Sequence, residues 1–256
     1  MIHELAIIET GAQIGKNVTI GPWTYISKDV VIGDNCHISS HVVINGPTRI
    51  GTGNRIFQFA SIGEDCQDLK YAGEATELII GDNNTFRECC TIHRGTIQDQ
   101  GITAIGSNNL FMAYTHVAHD CMVGSHCIMA NNASIAGHVH VGDHAILGGM
   151  SGIHQFCHIG AHSFVAANSL VVKDVPPYVM ASGDSAKPFG LNSEGLKRRG
   201  FAKDTISAIK KAYRMVYRQS LTVDEALTKI DNELVESSEL AQFTDFIKSS
   251  SRGIIR

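Results

Sequence analysis

The sequence predicts a mainly β chain built as a parallel β-helix. A large apolar residue returns at every sixth position, a small residue stands four positions after it, and helical patterns appear only near the C-terminal end. Neither the 3.6-residue period of an α-helix nor the alternation of a flat sheet produces a spacing of six. Hexapeptide repeats are typical of a solenoid whose coils stack as parallel strands.

The six-residue repeat is interrupted at only a few places along the chain. The repeat positions are Ile8, Ile14, Ile20, Ile26, Ile32, Ile38, Ile44, Ile50, Ile56, Ile62, Ile80, Phe86, Ile92, Ile105, Phe111, Val117, Val123, Met129, Ile135, Val141, Leu147, Ile153, Ile159, Val165 and Val171. Three such repeats make one triangular coil, and neighbouring parallel strands lie about 4.8 Å apart. Residues eighteen apart are therefore expected to be spatial neighbours, although this rule does not give the handedness of the winding.

The cysteines follow the same repeat. Five of the seven occupy the small inward position: Cys36, Cys90, Cys121, Cys127 and Cys157. We expect them to be buried free thiols, because no metal-ligand spacing is present and a buried cysteine behaves as a small apolar residue. Free thiols, together with a start at Met1 that lacks a signal-peptide pattern, predict a cytoplasmic protein.

Composition excludes two classes of partner. The formal net charge is −4 and no basic excess is visible, so nucleic acid is not an expected partner. No run of eighteen apolar residues exists, so we expect no membrane span. The sequence predicts neither a metal ion nor a cofactor.

Interruptions of the repeat define the predicted domains. Residues 1–190 are predicted to form the β-helix, with loop insertions near 64–78 and 93–104, and residues 191–256 to form a helical domain. Loops that leave a rigid solenoid often carry its binding function.

The C-terminal region contains signals for the starts of two helices. Asp204 is expected to cap one helix, and Thr222 with Glu225 matches a capping box for the next. We expect these helices to cover the exposed edge of the last coil.

The spacing rule predicts one candidate catalytic column. His119, Gly137 and Gln155 are eighteen apart, as are Asp120 and His138 beside them. A histidine next to a carboxylate is a plausible general base, and an outward glycine N–H can stabilise an oxyanion. This set of groups suits acyl transfer, although the same residues could simply face solvent on a flat sheet. Such a face needs a second surface, and a threefold assembly of identical chains would supply one.

Two other patterns have more than one interpretation. His126, His144 and His162 are also eighteen apart, and we interpret them as a solvent-facing or interface ladder rather than a site. Arg198 and Arg199 could clamp a phosphate group or form a solvated charge run.

Several segments carry a family resemblance. They are Gln58–Gly63, Gln67–Glu74, Thr91–Thr96, His119–Cys121, Ala136–His138, Gly149–Met150, His154–Cys157, Asp174–Tyr178 and Glu194–Phe201. In order and over nearly the whole chain, these segments resemble the left-handed β-helix acyltransferases, and among them the UDP-N-acetylglucosamine O-acyltransferases of lipid A biosynthesis. The stretches Asp-Leu-Lys-Tyr-Ala-Gly-Glu and Gly-Leu-Lys-Arg-Arg-Gly-Phe are the most specific.

The resemblance implies left-handed winding, a homotrimer and a set of site residues. It implies that His119 is a general base, that Asp120 orients it, and that the Gly137 N–H stabilises the oxyanion of a thioester carbonyl. The implied substrate-binding residues are Asp68, Lys70, His93, His116, His138, His154, Gln155, Asn192, Glu194, Arg198 and Arg199. The implied substrates are UDP-N-acetylglucosamine and an (R)-3-hydroxyacyl group on acyl carrier protein, whose acidic surface would be attracted by basic patches.

One pair of adjacent residues departs from the pattern of the family. Ala166 and Ala167 stand where relatives often have two glycines, near the part of the acyl groove that gauges chain length. Because each buried methylene is worth about 0.8 kcal/mol, we expect a somewhat shorter preferred acyl chain.

Other interpretations stay open from the sequence alone. His116 and His119 would suit a zinc-dependent β-helix carbonic anhydrase, but no third ligand is evident at a suitable spacing. A non-enzymatic β-helix adaptor would tolerate the loss of His119. The sequence also leaves open whether the acceptor sugar offers a 3-hydroxyl or a 3-amino group.

Overall fold

In the computed structural model, which describes all residues 1–256, the six-residue repeat becomes a left-handed parallel β-helix. Each repeat position lies in one short strand. In chain order, β1 to β25 are Ile7–Ile8, Gln13–Ile14, Thr19–Ile20, Tyr25–Ile26, Val30–Ile32, His37–Ile38, Val43–Ile44, Thr48–Ile50, Arg55–Ile56, Ser61–Glu64, Glu77–Ile80, Thr85–Phe86, Thr91–His93, Ile102–Ile105, Leu110–Phe111, His116–Val117, Met122–Val123, Ile128–Met129, Ser134–Ile135, His140–Val141, Ile146–Leu147, Gly152–Ile153, His158–Ile159, Phe164–Val165 and Leu170–Val171.

The strands form three parallel sheets, one for each side of the triangular coil. The first sheet runs from β1 to β25 in steps of three, the second from β2 to β23, and the third from β3 to β24. The third sheet then continues into an antiparallel hairpin of β26 (Val179–Ser182) and β27 (Lys187–Leu191). We call the edge between the first and second sheets the first corner, that between the second and third the second corner, and the remaining edge the third corner.

The core is a narrow stack of inward side chains. From Ile20 onward every repeat residue is at most 4% exposed, and the five cysteines of the small inward position are buried free thiols, as predicted. Burial of each large aliphatic side chain contributes about 1.5–3 kcal/mol relative to exposure. The small inward position also holds three buried asparagines, which the expectation of small residues does not cover: Asn54, Asn84 and Asn109. They form a ladder, because the backbone N–H of Asn84 donates to Asn54 and that of Asn109 donates to Asn84, both at 2.9 Å.

Both insertions leave the solenoid at the first corner. They occupy residues 65–76, after β10, and residues 94–101, after β13, and are therefore shorter than predicted because the flanking strands extend into them. They also lengthen their coils. Thr91 and His116 are neighbours across 25 positions rather than eighteen.

The C-terminal region forms four helices: α1 (Ser193–Arg198), α2 (Lys203–Arg218), α3 (Val223–Glu233) and α4 (Ser238–Ser249). The capping box of Thr222 and Glu225 is present at α3. The prediction that Asp204 caps α2 is wrong, because the N-cap is Ala202. Asp204 lies in the first turn, where its negative charge interacts favourably with the positive end of the helix dipole.

These helices cover the end of the solenoid and share its core. Tyr178, in the last coil, donates a hydrogen bond to Gln242 of α4 at 2.5 Å, and the chain end returns so that the Ile255 N–H donates to the carbonyl oxygen of Asp174. Their buried residues belong to the same apolar cluster as the strands. None of the helices is long and apolar enough to cross a membrane.

Candidate functional site

The structure aligns His119, Gly137 and Gln155 in one column at the first corner. The N–H of His138 donates to the carbonyl of His119, and that of Phe156 donates to the carbonyl of Gly137, both at 3.1 Å. The His119 ring lies directly over Gly137, since a Cβ built on that glycine would stand 2.5 Å from Cε1 and 2.6 Å from Nε2 of the ring. The backbone N–H of Gly137 has no hydrogen-bond acceptor within the chain. A side chain at this position would displace the imidazole.

His119 is hydrogen-bonded to a buried carboxylate. Its Nδ1 lies 2.8 Å from Oδ2 of Asp120, whose side chain is 1% exposed, and the His119 side chain is 14% exposed. The second insertion supplies the other partners of Asp120: the Thr96 N–H donates at 2.8 Å and the Thr96 hydroxyl at 2.7 Å. Burial raises the pKa of Asp120, but the hydrogen bonds from His119 and Thr96 outweigh it, and the net effect is a lowered pKa. Asp120 is therefore an anionic acceptor that orients the ring of His119.

The cleft beside this column has a volume of about 440 Å³ and opens on the first sheet. Its lining includes seven of the residues that the sequence assigns to the site: Asp68, His93, His116, His119, Gly137, His154 and Gln155. Asp120 is buried and does not line the cleft. Lys70 is exposed on the first insertion, outside the lining, and its backbone N–H donates to Asp68 at 2.9 Å.

Two histidines at one end of the cleft are held uncharged. His93 and His116 meet edge to face with ring centroids 5.0 Å apart. Burial, and then the neighbouring His116, lower the pKa of His93 to about 4, and burial together with His119 lowers the pKa of His116. Near neutral pH this end of the cleft therefore offers neutral imidazoles, which can donate and accept hydrogen bonds.

The first insertion is fastened by Arg94, the first residue of the second insertion. Its guanidinium forms an ion pair with Asp65 and donates to the Tyr71 hydroxyl at 3.2 Å. Within the loop, the N–H of Asp68 donates to the Cys66 thiol at 3.1 Å. These contacts hold Asp68 at the mouth of the cleft.

His138 lies beside His119 but outside the cleft lining of a single chain. Its Nδ1 is 2.9 Å from Asp99 of the second insertion, and its Nε2 is 4.0 Å from Asp120. Sequence reasoning missed Thr96 and Asp99. The only available signal was their position in the second insertion, because the loop has no repeat that fixes where its side chains point.

A second group of predicted residues lies at another corner. Asn192 donates from Nδ2 to the carbonyl of His162 at 2.9 Å, and Arg199 donates to the carbonyl of His144 at 3.0 Å, which places both at the second corner. Glu194 and Arg198 are exposed on the adjoining α1. Within one chain this group and the His119 column do not form a common site.

Ala166 and Ala167 lie at the third corner. They follow β24 of the third sheet and precede β25 of the first, so they are outside the cleft wall that a single chain forms. Ala166 is half-buried and Ala167 is exposed.

His119, Asp120 and His138 lie close enough together to hold a metal ion, with one ligand atom of each within 4.8 Å of the others. His119 and Asp120 are already hydrogen-bonded to each other, and Thr96 and Asp99 bind Asp120 and His138. A metal ion here would have to replace these bonds. His116, which the zinc interpretation requires, is not in this set.

A depression of similar size, about 500 Å³, lies on the second sheet and contains the stacked rings of His140 and His158. Neither ring is hydrogen-bonded to a carboxylate. The first-corner cleft is the candidate site because it combines an imidazole oriented by a carboxylate with a free backbone N–H.

Comparisons with known proteins identify the family of this chain. Residues 174–255 match the family model described as "Udp N-acetylglucosamine O-acyltransferase; Domain 2", and residues 11–46 and 103–137 match "Bacterial transferase hexapeptide (six repeats)". The structure of LpxA from Acinetobacter baumannii is 53% identical in sequence, with a TM-score of 0.96 and coverage of 100% of this chain and 99% of that chain. The chain belongs to the UDP-N-acetylglucosamine O-acyltransferase family.

Two further members of the UDP-N-acetylglucosamine O-acyltransferase family are similar over their whole length. The enzyme from Moraxella catarrhalis RH4 is 52% identical, with a TM-score of 0.97 and coverage of 100% of this chain and 99% of that chain. The enzyme from Bacteroides fragilis 9343 is 44% identical, with a TM-score of 0.98 and full coverage of both chains. The predicted family and the predicted fold class are confirmed, and the chain is an acyltransferase of this family.

Proposed function

We propose that this chain transfers an (R)-3-hydroxyacyl group from acyl carrier protein to the 3-hydroxyl of UDP-N-acetylglucosamine, the first step of lipid A biosynthesis. The observation that carries the proposal is the His119 ring, hydrogen-bonded to buried Asp120 and lying over the free N–H of Gly137. Membership of the family supports the substrates.

In the proposed reaction His119 is the general base. Because Nδ1 is hydrogen-bonded to Asp120, Nε2 is the nitrogen that can accept the proton of the sugar hydroxyl. The sugar oxygen attacks the thioester carbonyl, a C–O bond forms, and the Gly137 N–H stabilises the oxyanion. The C–S bond then breaks, and the proton held by His119 passes to the departing thiolate, so no cofactor is consumed.

Other residues in and around the cleft would bind the substrates. Asp68 and Lys70 would contact the 3-hydroxyacyl group and its carrier arm. His93, His116, His138, His154 and Gln155 would surround the sugar and the phosphates. The neutral state of His93 and His116 suits hydrogen bonds to sugar hydroxyls.

The nucleotide would be held across a subunit boundary in a homotrimer. Asn192, Glu194, Arg198 and Arg199 lie at or beside the second corner, whereas the base is at the first corner. Threefold packing of triangular prisms would bring the first corner of one chain against the second corner of the next. Guanidinium groups can then clamp the diphosphate by paired hydrogen bonds.

The third corner would set the acyl length. With Ala166 and Ala167 in place of two glycines, we propose a preferred acyl chain shorter than that of relatives with glycine there. The basic residues Lys197–Arg199 and Lys210–Lys211 would attract the acidic carrier protein. The free thiols favour a reducing, cytoplasmic compartment.

The direct experiment is a turnover assay with UDP-N-acetylglucosamine and (R)-3-hydroxyacyl carrier protein. The 3-amino analogue of the sugar nucleotide serves as the competing acceptor, and metal analysis of the purified protein addresses the zinc interpretation. We expect transfer to the 3-hydroxyl sugar without stoichiometric zinc. Transfer only to the amino sugar, or no transfer to either acceptor by folded protein, would contradict the proposal.

A further inference from the structure

We propose that Asp99 is a positioning residue for the His119–Asp120 pair and that it acts through His138. The proposal rests on the proposed function for its kinetic test. Its structural basis is a chain of alternating carboxylates and imidazoles that reaches from the second insertion to the general base.

The ring of His138 is fixed by two other rings. It stacks on Phe156 with centroids 4.4 Å apart and planes 8° apart, and it meets His119 edge to face at 5.0 Å. Its side chain is 11% exposed. Packing therefore restrains the plane of the ring, but it neither decides which nitrogen carries the proton nor prevents a small shift within that plane.

Asp99 determines which nitrogen of His138 carries the proton. Its Oδ2 lies 2.9 Å from Nδ1 of His138. An ionised carboxylate only accepts hydrogen bonds, so Nδ1 carries the proton, and in the neutral ring Nε2 is left without one. Nε2 is the nitrogen that faces Asp120, at 4.0 Å from Oδ2.

That oxygen of Asp120 already has two donors. It accepts from Nδ1 of His119 at 2.8 Å and from the Thr96 hydroxyl at 2.7 Å. Without Asp99, His138 could take the other tautomer and aim an Nε2–H at the same oxygen. A movement of about 1 Å would bring it within hydrogen-bond distance, where it would compete with His119.

The second insertion holds Asp99 where this restraint requires it. The N–H groups of Asp99 and Gly101 donate to the Thr96 carbonyl at 3.3 and 3.0 Å, and the Glu77 N–H donates to the Gly101 carbonyl at 2.8 Å. The turn that supplies Thr96 to Asp120 is therefore the turn that supplies Asp99 to His138. One short loop sets the orientation of both histidines.

A double-mutant cycle with Asp99→Ala and His138→Ala tests the coupling. We expect Asp99→Ala to lower kcat about tenfold with KM within about twofold, because the base is misoriented while the cleft is unchanged. In the His138→Ala background the same substitution should have no further effect, since the competing donor is gone. Asp99→Asn, which retains an acceptor oxygen, should lose less activity, and Gln98→Ala in the same loop is the matched control. An equal loss in both backgrounds would overturn the proposal.

Imidazole nitrogen NMR supplies a readout that does not depend on activity. In protein labelled with ¹⁵N-histidine, with His138 assigned from the His138→Ala spectrum, we expect a protonated Nδ1 in the parent protein and a protonated Nε2 in Asp99→Ala. An Nε2–H tautomer in the parent protein, or no change on substitution, would overturn the proposal even if turnover is normal. Absence of turnover with the expected tautomers would instead count against the proposed function.

Discussion

The first and second corners of the solenoid both carry closely packed histidines, yet the surroundings of these histidines differ. His138 at the first corner and His144 at the second have almost the same backbone conformation, with φ of 62° and 60°. At the first corner the imidazoles of His119 and His138 are hydrogen-bonded to carboxylates. At the second corner the three rings of His126, His144 and His162 stack on one another 4.7 Å apart, and no carboxylate is hydrogen-bonded to them.

The repeat therefore sets the position of a side chain, and the neighbouring loop sets its chemical surroundings. The first corner receives both insertions, and the second of them brings Thr96 to Asp120 and Asp99 to His138. The second corner receives the helices instead, and His162 packs against Phe201 with its pKa lowered to about 4 by burial and then by His144. Of the two interpretations of this ladder, the solvent-facing one therefore fits the exposed His126 but not His162, and the interface one stays a prediction.

The largest expected effect separates the two corners by activity. His119→Ala should lower acyl transfer about 10²–10⁴-fold, because a positioned general base contributes that much. His126→Ala, at an exposed position of the ladder, should leave turnover unchanged. Steady-state kinetics with circular dichroism as a folding control checks both, and similar rates for the two variants would contradict the difference between the corners.

The next largest loss of activity is expected at Gly137, because the His119 ring lies so close to it. In Gly137→Ala the new methyl group would overlap the His119 ring and displace it, and a misplacement of about 1 Å can cost about 10²-fold in rate. The matched control is Gly190→Ala, where a Cβ meets no atom within 4 Å. A fully active Gly137→Ala protein would show that the ring does not need its present position.

Between about pH 6.5 and pH 4, the free energy of unfolding should depend on the buried neutral histidines of both corners. His93 and His162 have folded pKa values of about 4, below the usual 6.5, so unfolding takes up a proton between these pH values and stability falls as pH falls from about 6.5 to 4. His93→Gln should remove about 2 kcal/mol of this loss, allowing for incomplete burial, and His162→Gln a similar amount. Urea unfolding at pH 7 and pH 4.5 measures this loss of stability. If both variants lose as much stability on acidification as the parent protein, the two histidines are not its source.

The smallest effect concerns acyl length. Ala167→Gly should move the preferred donor to a chain longer by one or two carbons, with about fourfold changes in relative rate, since a buried methylene is worth about 0.8 kcal/mol. A panel of hydroxyacyl carrier proteins of graded length checks this. Equal rates from short to long donors in the parent protein would remove the third corner as the length gauge.

Much of the fold could be predicted because it is periodic. Every repeat position from Ile8 to Val171 lies in a strand, and the alignment of His119 with Gly137 follows from counting eighteen residues. The capping box at Thr222 was predictable from local chemistry, whereas Asp204 was assigned to the wrong position because a helix start shifts easily by one or two residues.

The contacts of the insertions could not be predicted, because they depend on loop conformation. Arg94 reaches Asp65 across 29 residues, and Asp99 reaches His138 across 39. No repeat links these pairs. The handedness of the coil likewise came only from the family resemblance, since strand pairing and repeat length are the same for either hand.

Under the proposed function, the base at the first corner works with the arginines at the second corner of a neighbouring chain. The direct test is to co-refold two inactive variants, His119→Ala and the double variant Arg198→Ala/Arg199→Ala, into mixed trimers and to measure acyl transfer. Random mixing should restore about a quarter of wild-type activity, because one interface in four then pairs an intact base with intact arginines. Mixed trimers that form, as native mass spectrometry can establish, and yet stay inactive would contradict a site shared between chains.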